Sequence, residues 1–119
     1  YIILFGGTQY NGTRSNDTYV FDIKSEKIFE IECNNKPEKR KRHSMTIIND
    51  KIIIYGGLDK HEQALNDMYS IDASNVINNN KPIWIKMDIN MPYLYAHNML
   101  TFGNKLMIIG GKDKLGKQG

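Results

Sequence analysis

Three short apolar runs punctuate the chain, and a glycine pair closes each. Ile2-Ile3-Leu4-Phe5 runs into Gly6-Gly7, Ile52-Ile53-Ile54-Tyr55 into Gly56-Gly57, and Leu106-Met107-Ile108-Ile109 into Gly110-Gly111. The pairs stand 50 and 54 residues apart. Consecutive apolar residues, rich in β-branched types and bounded by glycine, predict strands buried on both faces. The register extends past the glycines: Asn16-Asp17 and Asn66-Asp67 follow their pairs at equal distance, then Tyr19 and Tyr69, then Asp22 and Asp72. A second strand is expected from Thr18 to Ile23 and from Met68 to Asp72. A third is expected from Lys27 to Ile31, centred on Phe29, and from Ile83 to Met87 around Trp84. His43 and His97 each precede a later glycine pair by 13 residues. Each leads into a further strand, Met45 to Ile48 and Asn98 to Phe102, and turns at Asn49-Asp50 and Gly103-Asn104 connect these to the glycine-ended runs.

The unit is therefore a four-stranded repeat of about 50 residues. An insertion from Ala73 to Lys81, containing Asn78-Asn79-Asn80, reads as a lengthened loop between strands three and four of its unit. No segment carries a helical period, although Glu62 to Asn66 has room for one turn.

This pattern resembles the kelch repeat, in which an apolar strand ends in Gly-Gly, a Tyr and a Trp follow, and an Arg-x-x-His element opens the unit. Arg40-Lys41-Arg42-His43 matches that element, Leu94-Tyr95-Ala96-His97 keeps the His without the Arg, and Phe29 is read as standing where Trp84 stands one repeat later. The resemblance covers essentially the whole chain. It implies an all-β fold of kelch-type β-propeller blades, each of four antiparallel strands packed about an axis. Residues 1–32 would then supply strands two to four of one blade, 33–89 a complete blade, and 90–119 strands one and two of a third. That is about two blades of an incomplete ring whose remaining blades belong to the same parent chain. The opening within an apolar run reads as a piece of a longer protein. The faces at its two ends are expected to be exposed, leaving the isolated chain marginal or self-associating. Gly6, Gly7, Gly56, Gly57, Gly110 and Gly111, with Tyr19, Tyr69, Trp84, His43 and His97, are the structural repeat positions.

Composition narrows the function classes. The chain has 119 residues, 40% of them hydrophobic, and a net charge of +3 from 16 basic and 13 acidic residues. The apolar fraction excludes a disordered segment. The surplus is too mild for a nucleic-acid binder, and no apolar run is long enough to span a membrane as a helix. A single cysteine, Cys33, points to a reducing, intracellular compartment, cytoplasmic or nuclear. The 13 Asn and 17 Ile beside only 3 Arg reflect a compositional bias. Accordingly, the sequons Asn11-Gly12-Thr13 and Asn16-Asp17-Thr18 carry little weight.

The densest charge cluster is Lys36-Pro37-Glu38-Lys39-Arg40-Lys41-Arg42-His43. It reads as a solvated inter-blade loop in which Arg40 and His43 serve structure, as a contact for phosphate or acidic peptide, or as a nuclear localisation signal. Repeat equivalence places His43 and His97 in different blades, which argues for structural roles and against a shared metal site. No catalytic constellation, cofactor or metal set is legible. Loops between strands two and three, and loops between blades, emerge on one face: Thr8 to Asn16, Asn34 to Arg42, Leu58 to Asn66 and Asn90 to Tyr95. Tyr10, Arg14, Arg40, Arg42, Lys60, His61, Tyr93 and Tyr95 are the binding candidates there, because aromatic and Arg side chains dominate interaction hot spots. The resemblance implies a protein-interaction module using this face, and the charge balance suggests an acidic or phosphorylated peptide. Kelch propellers also occur with serine/threonine phosphatase domains and as ubiquitin-ligase substrate receptors. In either case catalysis would lie outside these residues.

Overall fold

The computed structural model describes residues 1–117, so Gln118 and Gly119, assigned above to the third unit, lie outside the described residues. Among the described residues, nine strands form three antiparallel sheets. β1 (Ile2–Phe5), β2 (Thr18–Asp22) and β3 (Lys27–Ile31) make the first. β4 (Ser44–Ile48), β5 (Lys51–Tyr55), β6 (Met68–Asp72) and β7 (Ile85–Lys86) make the second, in that order. β8 (Asn98–Phe102) and β9 (Lys105–Ile109) make the third. Asn49 and Asp50 both take positive φ, at 49° and 62°, the conformation that a tight two-residue turn from β4 to β5 requires.

The central strand shows why its sequence lacks alternation. Ile52 and Ile54 of β5 pack toward the first sheet, in a cluster with Phe5, Val20, Ile31, Ile71 and Trp84. Ile53 and Tyr55 point the other way, clustering with Met68, Leu94 and Met99, against which Leu106 and Ile108 also pack. β5 is thus apolar on both sides because a sheet lies on both sides. The outer faces have no such neighbour: Ile2, Leu4 and Ile28 are exposed on the first sheet, and Leu100, Phe102, Met107 and Ile109 on the third.

Three local expectations are corrected. The insertion after Asp72 holds a short helix, α1 (Ala73–Ile77), capped by the Asp72 carboxylate, which accepts from Asn75 N–H at 3.1 Å. Glu62 to Asn66 forms no helical turn, because Ala64 bridges back to Leu58 across the loop. The strand expected from Ile83 to Met87 shortens to two residues, because Pro82 and Trp84 bond to Asn34 instead. Asn34 N–H donates to the Pro82 carbonyl and Trp84 N–H to the Asn34 carbonyl, both at 3.0 Å.

Phe29 does not occupy the place of Trp84. Tyr19 lies opposite Glu30 and Tyr69 opposite Lys86, which aligns Phe29 with Ile85 and Ile28 with Trp84. Trp84 is buried against Phe5, with ring centroids 4.9 Å apart, whereas Phe29 and Ile85 are both exposed.

Candidate protein-interaction face

The loops that leave the glycine-ended strands gather with those that join successive sheets. Backbone hydrogen bonds link them in series. Gly7 N–H donates to the Arg40 carbonyl at 2.9 Å, and Arg40 N–H to the Ser15 carbonyl at 3.2 Å. Lys41 and Leu58 exchange bonds of 3.0 and 2.8 Å, and Ala96 N–H reaches the Arg42 carbonyl at 2.8 Å. Tyr95 and Lys112 exchange bonds of 2.9 and 2.8 Å. Loops from all three sheets are therefore one continuous, backbone-braced surface. The helix α1 lies at the other end, where Ala73 N–H donates to Asp50 in the β4–β5 turn.

The glycine pair makes this bracing sterically feasible. Gly57 has φ +104°, and a Cβ there would stand 2.7 Å from the Lys41 carbonyl oxygen and 2.9 Å from His43 Cβ. Within the loops, carboxylates hold the tips. Asp59 Oδ1 accepts from His61 and Gln63 N–H at 2.8 and 3.0 Å, and Asp113 Oδ1 accepts from Leu115 and Lys117 N–H, both at 2.9 Å. The bonds from Lys117 and Leu115 hold the Asp113 carboxyl below the usual range.

The two repeat histidines occupy equivalent seams. His43 Nε2 donates to the Phe5 carbonyl at 2.9 Å, and its ring meets Phe5 edge-on. His97 Nε2 meets Ser44 Oγ at 2.6 Å, and its ring meets Tyr55 edge-on. Burial lowers both pKa values, that of His43 to about 4 with the Arg40 charge contributing. Among the described residues, no three His, Cys, Asp or Glu side chains gather as a metal site.

Side chains of the basic run do not act together. Lys36 pairs with Asp17 at 3.0 Å, and Lys41 approaches Glu62 at 3.5 Å. Arg42 is exposed and lies 5.5 Å above the Tyr95 ring. Arg40, expected to contact a partner, is instead 0% exposed. It makes a two-pronged ion pair with Asp67 at 2.5 and 2.9 Å, donates to the Gly56 and Glu38 carbonyls, and sits over the Tyr69 ring. It is a structural residue and is removed from the binding set.

The other expected positions divide by exposure. Tyr10 stands fully exposed at the tip of the β1–β2 loop, and Lys60 and His61 are exposed on the β5–β6 loop. Tyr93 is exposed beneath the Lys114 ammonium, which lies 5.1 Å from its ring centroid; Tyr95 is half-buried. Arg14 is largely buried, pairing with Glu62 and donating to the Gly12 carbonyl at 3.1 Å. Arg14, Lys60 and Lys39 share a cleft of about 290 Å³ with Gly12 and Thr13. Lys39 and Glu62 went unnamed among the candidates. Lys39 was legible only as one cation in the basic run, and the role of Glu62 follows from a pairing 48 residues away.

A family model described as the KLHDC2/KLHL20/DRC7 Kelch-repeats domain matches residues 1–118. The chain belongs to the kelch-repeat family. Kelch domain-containing protein 10 of Xenopus tropicalis is 24% identical, matching 92% of this chain and 27% of its own length. The F-box/kelch-repeat protein At1g51550 of Arabidopsis thaliana is 24% identical over 94% of the chain and 26% of itself. Tip elongation aberrant protein 1 of Schizosaccharomyces pombe is 24% identical over 93% of the chain and 10% of itself. The chain thus spans between 10% and 27% of the length of these relatives. In kelch terms, the second sheet has the four antiparallel strands of a blade, and its Arg-x-x-His element joins it to the first sheet through the Arg40 backbone and the His43 ring. Leu94 replaces the Arg in the next repeat and is buried in apolar contacts instead.

Proposed function

We propose that these kelch blades are a protein-interaction module and that the loop face takes an acidic or phosphorylated peptide. Kelch repeats generally bind proteins, and the braced surface carries this reading to the present chain. Loops held by backbone bonds offer preorganised contacts, so little ordering cost attends binding. That surface exposes Tyr10, the Arg42–Tyr95 and Lys114–Tyr93 stacks, and the Lys39 and Lys60 cations. Aromatic and Arg anchors of this kind suit a hot spot, and the cations suit an anionic ligand. A relative whose name joins an F-box to the kelch repeat supports a second version, in which the partner is a substrate presented for ubiquitin transfer. Catalysis would then lie outside these residues. The single cysteine, Cys33, is free and buried, and a chain without a disulfide pair suits an intracellular setting.

Arg42→Glu tests the reading. Arg42 is exposed, so its replacement leaves the packed seams untouched. Affinity for a fluorescent oligoglutamate peptide, read by anisotropy, is expected to fall about tenfold or more, ~1.4 kcal/mol, with a flatter salt dependence. Unchanged affinity in a folded variant would overturn it.

A further inference from the structure

We propose that the cleft between the β1–β2 and β5–β6 loops is a subsite for a phosphoryl group on the partner's side chain. The inference rests on the loop-face reading above and narrows it to one place and one charge. The cleft is lined by Gly12, Thr13, Arg14, Lys39 and Lys60, and its volume of about 290 Å³ admits a phosphate with room for its attached side chain. Three of the five lining residues are cations, contributed by a loop within the first sheet, the loop joining the two sheets and a loop within the second.

Arg14 is the central feature. Its side chain is only 10% exposed, so it is largely stripped of water. One amino group donates to the Gly12 carbonyl and the other pairs with Glu62, while the buried Nε has no hydrogen-bond partner among the described residues. A buried donor left unpaired is costly, and an oxyanion is what a guanidinium fork best satisfies. A small turn of the fork toward the cleft would satisfy it. Lys39 and Lys60 are exposed on the two sides and free to close on the same anion.

Charge arithmetic favours phosphate over carboxylate. Arg14, Lys39 and Lys60 bring three positive charges, and Glu62 on Arg14 removes one. The remaining two match a phosphoryl group, which carries about −1.5 to −2 at neutral pH, better than a single carboxylate. Glu62 also reaches Lys41 at 3.5 Å, so it is an internal carboxylate that competes with the ligand for the cations of this corner.

The probes are inorganic phosphate, O-phospho-L-threonine and acetate, followed by amide chemical shifts in the isotope-labelled protein. Saturable shifts confined to Gly12, Thr13, Arg14, Lys39 and Lys60 are expected with both phosphates and not with acetate. Lys39→Gln with Lys60→Gln is expected to weaken phosphothreonine binding at least tenfold. Glu62→Gln should strengthen it several-fold, which a merely structural Glu62 would not do. Lys27→Gln, distant on the first sheet, should leave it unchanged. No saturable shift, or an equal response to acetate, would overturn the subsite. These small probes report on the cleft alone. Their failure with an intact Arg42→Glu effect would reject the subsite and leave the loop-face reading standing. The converse result would keep the subsite and reject Arg42 as a contact of the loop face.

Discussion

Replacing Arg40 by alanine is expected to destabilise the protein by about 3–5 kcal/mol, because it strands one half of a buried ion pair. Arg40 is 0% exposed and the Asp67 side chain only 14%. Without the guanidinium, the carboxylate keeps its charge in a poorly solvated place, and the Gly56 and Glu38 carbonyls lose their donor. A shift of the urea midpoint at constant slope would measure the loss. The apolar double variant Arg40→Leu with Asp67→Leu should recover much of it, since removing both charges removes the stranded one. Leu94, at the equivalent position of the next repeat, already shows the apolar solution in place. The same change has a second readout. Burial, then the Arg40 charge, lowers the His43 pKa from 6.5 to about 4. The unfolded chain gains that proton near pH 6.5 and the folded one only near 4, so the stability His43 contributes is full above 6.5 and is lost as pH falls toward 4. In Arg40→Ala the folded pKa should rise and this window narrow, visible in an imidazole titration by NMR. Loss of less than about 1 kcal/mol with an unmoved His43 would contradict the assigned role.

Trp84→Ala should cost a similar amount, about 3–5 kcal/mol, through a cavity at the seam between the first two blades. Trp84 is 1% exposed, and its ring lies 4.9 Å from that of Phe5 in the cluster that also holds Ile54 and Ile71. Its buried indole N–H has no partner among the described residues, so apolar contact is what the ring contributes. Trp84→Phe, which keeps much of the ring and discards that N–H, should therefore retain most of the stability. Equal losses for Ala and Phe would point to a missing hydrogen bond instead of lost packing.

The strand pattern was legible because it is local. The run Ile52 to Tyr55 declares two buried faces through its lack of alternation, and the Asn49-Asp50 turn declares its own hairpin. The equivalent seams of His43 and His97 were also legible, because equal spacing from a glycine pair fixes equal places in a repeat. What escaped was set by distant partners. The Arg-x-x-His spacing sets Arg40 apart from Arg42 but names no partner: Asp67, 27 residues on, draws Arg40 inward while Arg42 stays outside over Tyr95. The alignment of Phe29 with Trp84 failed because Asn34 captures the backbone on both sides of Ile83, an offset that spacing alone does not reveal. The helix Ala73–Ile77 is shorter than two turns, too brief for a period to emerge, and its one signal was the capping Asp72.

The central strand β5 lies between the first and third sheets and packs against a different one with each face. Methyl-resolved nuclear Overhauser spectroscopy tests this directly. Cross-peaks are expected from Ile54 to the Phe5 and Trp84 rings, and from Ile53 to Leu94 and Met99, with no exchange between the two sets. Ile53 and Ile54 sharing the same neighbours, or either set missing while the strand remains ordered, would contradict it.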